Sequence, residues 1–228
     1  MECPNCRRRC QRAGRQKSGV QRYRCGACRK YRQEKYTYRA CQAGTDEAIR
    51  TLVCESVGIR GIGRVLRIAA GTVLARIGRL ANAIERPAIF PDETQFEVDE
   101  LWTYVGRKAN EQWVAYALDR KRDVIDFVVG RRSVSTLRQL TDRLLASGVK
   151  KIKTDRLTHY QRLIPKERHS RSPYGINHIE RKNLTLRTHL KRLSRRTICF
   201  NRSVPMLENC LKIYFWGRHA AGEGYRGV

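Results

Sequence analysis

The hydrophobic pattern changes character three times along the chain. Residues 1–44 hold almost no aliphatic positions and are dense in cysteine and arginine. Residues 45–86 turn to helical spacing. Thr45-Asp46-Glu47 supplies a cap and an acidic first turn, and Ile49, Leu52 and Val53 form one stripe. Gly58 interrupts it, Ile62, Val65 and Leu66 suggest a short second helix, and Ala70-Gly71-Thr72 a capped turn. Val73, Leu74, Ile77, Leu80, Ala81 and Ile84 then mark a third helix. Helix, short helix, glycine-containing turn and helix is the helix-turn-helix plan, and Arg76 and Arg79 lie off the apolar stripe of its third helix as candidate DNA contacts. An ordinary three-helix bundle would share the pattern.

After a break at Pro87 to Pro91 the period shortens to that of strands. Residues 96–105, 112–118 and 124–129 read as an antiparallel meander, with a turn at Asp119–Asp123. Helical spacing returns at 133–146 through Val134, Leu137, Leu140, Leu144 and Leu145, and Val149–Thr154 is a short strand ending at Asp155. Ile179, Leu186, Leu190 and Leu193 mark a later helix beginning at Glu180. Strand, strand, strand, helix, strand and later helix is the ribonuclease-H-like plan, an α/β sheet with packed helices. The expected organisation is a zinc-ribbon-like module at 1–44, a helix-turn-helix domain at 45–86, an α/β catalytic domain at 92–216 and a flexible tail at 217–228.

Charge sharpens this division. The 228 residues include 48 Lys+Arg and 21 Asp+Glu, a formal net charge of +27. Residues 1–90 carry net +14, residues 91–150 net zero and residues 151–228 net +13. Such an excess calls for a polyanion, nucleic acid foremost. A membrane surface would want an amphipathic helix with a bulky apolar face, and none stands out. No run approaches the ~20 apolar residues of a transmembrane helix, and the N-terminus does not read as a secretory signal. A cytoplasmic, nucleoid-associated protein is expected.

Six of the nine cysteines fall in the first 41 residues. Cys3-Pro4-Asn5-Cys6 and Cys25-Gly26-Ala27-Cys28 stand 18 residues apart, the spacing of a structural Zn²⁺ site. About 40 residues with so few aliphatic side chains need a metal to fold. Cys10 and Cys41 are left over, and Cys199 and Cys210 read as small core residues.

The neutral middle holds the candidate chemistry. Asp99 lies mid-strand between apolar neighbours, where a charge is costly unless paired or metal-bound. Glu100 should point to the opposite face, so only one of the two should enter a given site; Glu97 shares the face of Asp99. Asp155 ends the strand expected beside it. Glu180 is a lone acid before a stretch, Arg181 to Arg196, with seven basic residues. It is either a salt-bridge partner or a metal ligand beside a DNA-tracking face, for which Arg181, Asn183, Arg187 and Lys191 are candidates. Three dispersed carboxylates suit phosphodiester chemistry with two Mg²⁺ or Mn²⁺ ions, which want hard oxygen ligands. His178 reads as structural, Asp126 as a surface or helix-capping acid, and Trp102, Trp113 and Trp216 as core.

Several stretches together resemble the transposases of the insertion-sequence-one family across nearly the whole chain. They are Cys-Pro-Asn-Cys, Arg22-Tyr23-Arg24-Cys25-Gly26-Ala27-Cys28-Arg29-Lys30, Val98-Asp99-Glu100-Leu101-Trp102-Thr103-Tyr104-Val105-Gly106, Thr154-Asp155 with Tyr160, and Ile179-Glu180-Arg181-Lys182-Asn183-Leu184 with Leu186-Arg187. The 24-residue interval between Asp155 and Glu180 is also like that family's. The resemblance implies a DDE transposase with a ribonuclease-H-like catalytic domain. It implies Asp99, Asp155 and Glu180 as catalytic Mg²⁺ ligands, and double-stranded DNA, as element ends and target, as partner. Coordinating two transfer events calls for a homodimer or larger assembly on paired ends. Arg156 stands where the family often has glycine, and Leu157 where an aromatic is common. A DNA-binding repressor without catalysis and a nuclease that cuts without joining are the other function classes this sequence fits.

Overall fold

The computed structural model describes residues 1–89, 95–171, 176–194, 197 and 199–217. The expected tail beyond Gly217 and the boundary at 92 lie outside them. The chain divides into two compact units, Met1–Thr45 and Asp46–Val228.

The first unit is a three-stranded antiparallel sheet of β1 (Cys10–Arg15), β2 (Gln21–Cys25) and β3 (Tyr31–Arg32), in that order. Hydrophobic periodicity gave no sign of these strands, because their side chains are mostly polar and their burial rests on sulfur. Cys3, Cys10, Tyr23 and Cys25 are the buried residues, with Met1, Cys6 and Cys28 against them. The two Cys-x-x-Cys turns repeat one geometry. The first cysteine of each donates its N–H five residues ahead, Cys3 to the Arg8 carbonyl and Cys25 to that of Lys30, at 2.8 and 3.1 Å. The residue after each second cysteine, Arg7 and Arg29, is left-handed with φ of 55° in both. A non-glycine residue costs about 1 kcal/mol in that region, so this backbone is held by its surroundings.

The second unit opens with α1 (Thr45–Cys54), α2 (Ile59–Leu66) and α3 (Ala70–Asn82), close to the expected boundaries. Val65, counted in the apolar stripe, is 62% exposed, whereas Ile49, Val53, Ile62, Val73, Ile77 and Ala81 are fully buried. A five-stranded mixed sheet follows, built from β4 (Gln95–Val105), β5 (Arg107–Leu118), β6 (Val124–Gly130), β7 (Lys151–Thr154) and β8 (His169–Ser170). Its order is β6-β5-β4-β7-β8: the first three strands pair antiparallel, and β4, β7 and β8 run parallel. The meander and the fourth strand were legible in the sequence; the parallel direction of that strand and β8, only two residues long, were not.

Helices cover both faces. On one, α4 (Val134–Ala146) and α5 (Thr158–Leu163) pack Leu137, Leu140, Leu144 and Tyr160 onto Phe96, Val98, Ala115, Ala117 and Ile152. Ser133 caps α4 by accepting the Thr136 N–H. On the other, α6 (Asn177–His189) and α7 (Val204–Trp216) pack Ile179, Leu186, Leu207, Leu211 and Phe215 onto Leu101, Val114, Tyr116 and Leu118. The α6 helix starts three residues before the expected Glu180 and ends earlier, in a 3-10 turn at Lys191–Leu193.

The three N-terminal helices join the sheet through α7. Gly78 on α3 lies against Asn209, the Arg50 guanidinium donates to the Gly217 carbonyl at 2.8 Å, and Ile84 reaches the α6–α7 core. No helix among the described residues is long and apolar enough to cross a membrane.

Leu140 is fully buried between α4 and the sheet. Leu140→Ala should cost about 3 kcal/mol through lost burial and the cavity left behind. Urea unfolding should show an earlier midpoint at unchanged slope.

Candidate active site

The register of β4 and β7 creates the site. Val98 faces Thr154 in parallel pairing, the last pair of that ladder. One residue on, Asp99 and Asp155 emerge together as β7 ends and β4 runs on beside β5. Ligand sites of open α/β sheets gather at such carboxyl ends of strands. Asp99, Glu100 and Asp155 bring carboxylate oxygens within 4.8 Å of one another.

Glu100 corrects the expectation that strand alternation would keep it away. Its side chain does leave on the α4–α5 face, where it meets Tyr160, yet its carboxylate lies within 4.8 Å of the other two and is wholly buried. Both its oxygens are engaged. Oε1 accepts the Tyr160 hydroxyl, and Oε2 accepts Nε and Nη2 of Arg132 at 3.1 and 2.9 Å. Arg132 also stands 3.7 Å from Asp155 Oδ2 and stacks its guanidinium over Trp113, 4.6 Å from the ring centroid. Trp113, expected in the core, is half-buried and serves as that platform. Sequence reasoning missed Arg132; the available signal was that a second mid-strand acid demands a cation.

Asp99 is half-buried, and its carboxyl is pushed up to about 6, chiefly by desolvation, with the nearby Glu100 and Asp155 charges adding to the rise. Two donors oppose this, the Glu100 N–H at 2.8 Å and the Asn183 amide at 2.6 Å. Asn183, expected to support Glu180 or to contact DNA, is turned inward: its Oδ1 accepts the Tyr116 hydroxyl at 2.8 Å. Glu97, on the Asp99 face as expected, accepts the Ile179 N–H at 2.9 Å. A carboxylate at the first turn of a helix satisfies an orphan donor and meets the positive end of its dipole. The helix α6 is thus pinned to β4 at two successive turns. Asp155 Oδ1 accepts the Leu157 N–H at 2.9 Å, and Thr154 bonds His169 Nε2 at 2.8 Å across to β8.

Glu180 lies in the first turn of α6, exposed, and outside the three-carboxylate group. His178, Arg181, Lys191 and Arg156 are exposed, while Arg187 donates to the Leu193 carbonyl at 3.1 Å. On α3, Arg76 and Arg79 both pair with Asp46 of α1, Arg79 at 2.6 Å with its side chain 61% exposed. Asp126 is not at the surface. It is wholly buried on β6, bound by Arg143 at 2.6 Å and Arg86 at 3.0 Å.

In the N-terminal unit, sulfur atoms of Cys3, Cys6, Cys25 and Cys28 lie within 4.8 Å of one another, with Cys3 to Cys28 at 3.6 Å and Cys6 to Cys25 at 3.3 Å. The Asn5 N–H lowers the Cys3 thiol to about 6, and the Cys28 N–H lowers Cys25. The first cysteine of each turn is therefore favoured as a thiolate, the form that binds metal, whereas the neighbouring sulfurs and burial push Cys6 up to about 11. Four sulfurs suit a soft or borderline cation, and the carboxylates a hard one. Cys10 is buried beside the four, and Cys41 is exposed.

A mixed α/β sheet with gathered carboxylates in one unit, and a four-cysteine cluster in the other, define a protein with two candidate metal centres. Residues 94–220 match the family model for IS1 transposase, and the chain belongs to that family. It is similar to the iso-IS1n protein InsB of Shigella dysenteriae, at 40% identity over 50% of this chain and 88% of that protein. It is also similar to IS1 InsB of Shigella flexneri, at 37% identity over 54% of this chain and 95% of that one. Among solved structures, a simian T-cell lymphotropic virus intasome in complex with PP2A regulatory subunit B56 gamma is similar at a TM-score of 0.37 and 12% identity, over 74% of this chain and 65% of that chain, a likeness too slight to argue from.

Because the Asp99 carboxyl titrates above the usual 3.8, at about 6, the folded protein holds a proton there that the unfolded chain has lost. The metal-free protein should therefore lose stability as pH rises across that window. Glu100 is shifted upward too and adds in the same direction. Urea midpoints measured between pH 4 and pH 6.5 should fall, and Asp99→Asn should flatten the trend.

Proposed function

We propose that this chain is a DDE transposase with a ribonuclease-H-like catalytic domain. On this reading it binds the ends of its mobile element, cleaves them to free 3′-hydroxyls and joins these to target DNA. One observation carries the reading: Asp99 and Asp155 stand together at the β4–β7 junction, and the helix bearing Glu180 is fastened to Asp99 through Asn183. An antiparallel meander followed by a parallel strand, with helices on both faces, is the matching sheet plan.

Asp99, Asp155 and Glu180 would hold Mg²⁺ or Mn²⁺, ions that activate an attacking hydroxyl and stabilise the departing oxygen. Glu180 would supply the third ligand, because Glu100 is already committed to Tyr160 and to the Arg132 guanidinium. Glu180 stands in the first turn of a helix that Glu97 and Asp99 fasten to β4 through Ile179 and Asn183. Glu100, Tyr160 and Arg132 hold Asp155 and the β4 edge in place. The four cysteines would hold structural Zn²⁺, and α1–α3 are the helix-turn-helix, with Arg79 more available to DNA than Arg76. Element ends must be joined in pairs, so at least two copies act together.

The test is a strand-transfer assay with end-bearing duplex, plasmid target and Mg²⁺. Asp99→Asn, Asp155→Asn and Glu180→Gln should each bring joined product to background while duplex affinity stays within about twofold. Glu100→Gln should lose only about ten- to a hundredfold, as expected for a group behind the ligands. Full activity in Glu180→Gln with none in Glu100→Gln would reverse the two roles. Cut but unjoined ends would make the protein a nuclease, and binding without cutting a repressor.

The N-terminal unit should carry about one zinc per chain by atomic absorption. Cys25→Ser should release it and leave residues 1–45 unfolded, whereas Cys41→Ser should keep it.

A further inference from the structure

Beyond the carboxylates, the far end of the β4–β5 hairpin holds a second feature that neither the metal chemistry nor the three N-terminal helices use. A cavity of about 670 Å³ opens there, lined by Val105, Gly106, Arg107, Ala109, Asn110, Arg131 and Arg202. Three of the seven are arginines, and no carboxylate lines it. None of the three makes a salt bridge among the described residues, and all are exposed. The walls are nevertheless built. The Gly106 N–H donates to the Asn201 carbonyl at 2.7 Å, and Val105 bridges Asn201 in parallel, so the segment bearing Arg202 is docked on the hairpin. The Asn110 amide donates to the Val105 carbonyl at 3.1 Å, which closes the bend. Arg202 lies over the Phe200 ring at 5.8 Å.

Unpaired guanidinium groups in one concave seat recognise phosphate, which their planar forks bind two oxygens at a time. The position says which phosphate. Asp99 and Val105 are six residues apart on one strand, or about 20 Å at the strand rise of ~3.3 Å per residue. Arg131 follows β6 beside Arg132, the cation at Asp155. The Val105 wall of the cavity therefore lies further along β4 from Asp99, a distance of about six base pairs of duplex at 3.4 Å each.

We propose that the cavity lined by Arg107, Arg131 and Arg202 is a phosphate seat for the DNA backbone that leaves the carboxylate site along β4. It rests on the DNA-processing reading above. Its work is to fix the direction of the strand relative to Asp99 and Asp155, a task that a metal site alone cannot perform.

The experiment is a salt series of duplex binding with the full chain, read by fluorescence anisotropy on a 30-base-pair DNA between 50 and 300 mM salt. The variant is Arg107→Gln/Arg131→Gln/Arg202→Gln. The charge-matched control is Arg120→Gln/Arg138→Gln/Lys150→Gln, exposed residues on the β5–β6 turn, on α4 and just before β7. Each phosphate contact contributes about 0.9 to the slope of log affinity against log salt. The cavity variant should lose about 2 to 3 from that slope and about tenfold or more in affinity at the lower salt, and the control less than 1. Circular dichroism melts should match the parent for both, since every replaced side chain is exposed. Equal losses in the two variants, or none in either, overturn the seat while leaving the DNA-processing reading intact. A parent chain that binds no duplex overturns both.

Discussion

The structure depends on the end of one short parallel ladder. The strand β7 stops at Thr154 opposite Val98, and the next residue on each strand is an aspartate. Where β7 stops, the carboxylates of Asp99, Glu100 and Asp155 come within 4.8 Å of one another. Several charges then share a small, partly dry volume. Like charges so placed raise one another's protonation, and burial raises it further. Every other feature of the region answers that electrostatic strain. Asn183 and the Glu100 N–H support Asp99, Tyr160 and Arg132 support Glu100, and the Leu157 N–H supports Asp155.

These supports come from different parts of the chain, and the fold follows from their convergence. Arg132 follows β6, Tyr160 sits on α5, and Asn183 on α6. Each arrives with its element packed by ordinary apolar burial, Leu186 and Ile179 for α6, Leu163 beside Tyr160 for α5. The hydrophobic cores bring the elements within reach, and the polar contacts choose the registration between them. Glu97 at the start of α6 shows the division of labour. Leucines press the helix to the sheet, and a single carboxylate decides where its first turn lies.

Much of this was legible beforehand, for identifiable reasons. Short apolar runs bounded by turn residues marked β4, β5 and β6, strands covered by helices on both faces, and Asp99 stood out because a charge mid-strand needs an explanation. The Cys-x-x-Cys spacing located the sulfur cluster, since covalent geometry alone sets the reach of such a turn. What escaped notice depends on side chains acting across the fold. Glu100 was set aside by strand alternation, which fixes the direction of Cβ but not where a three-torsion side chain ends. Asp126 looked superficial because its partners, Arg143 and Arg86, are 17 and 40 residues away in sequence. Asn183 was grouped with Arg181 as a support for Glu180 or a DNA contact, although its spacing of four from Ile179 places it on the buried side of α6. The strands of the first unit were invisible because sulfur, rather than aliphatic packing, makes up their interior.

The attachment of α1–α3 to α7 has an evolutionary consequence. Arg50 reaches Gly217 across 167 residues of sequence, and α3 rests on α7 at Gly78 and Asn209. The N-terminal helices and the last helix of the sheet domain thus share one core, although nearly the whole catalytic sequence lies between them. Such a unit cannot be cut at its middle and exchanged as a cassette without baring apolar surface on both fragments. Recombination between relatives would be tolerated near residue 45, where one compact unit ends and the next begins in sequence. New properties in this lineage should therefore arise by point substitution within the large unit, or by replacement of the small one, rather than by shuffling its helices.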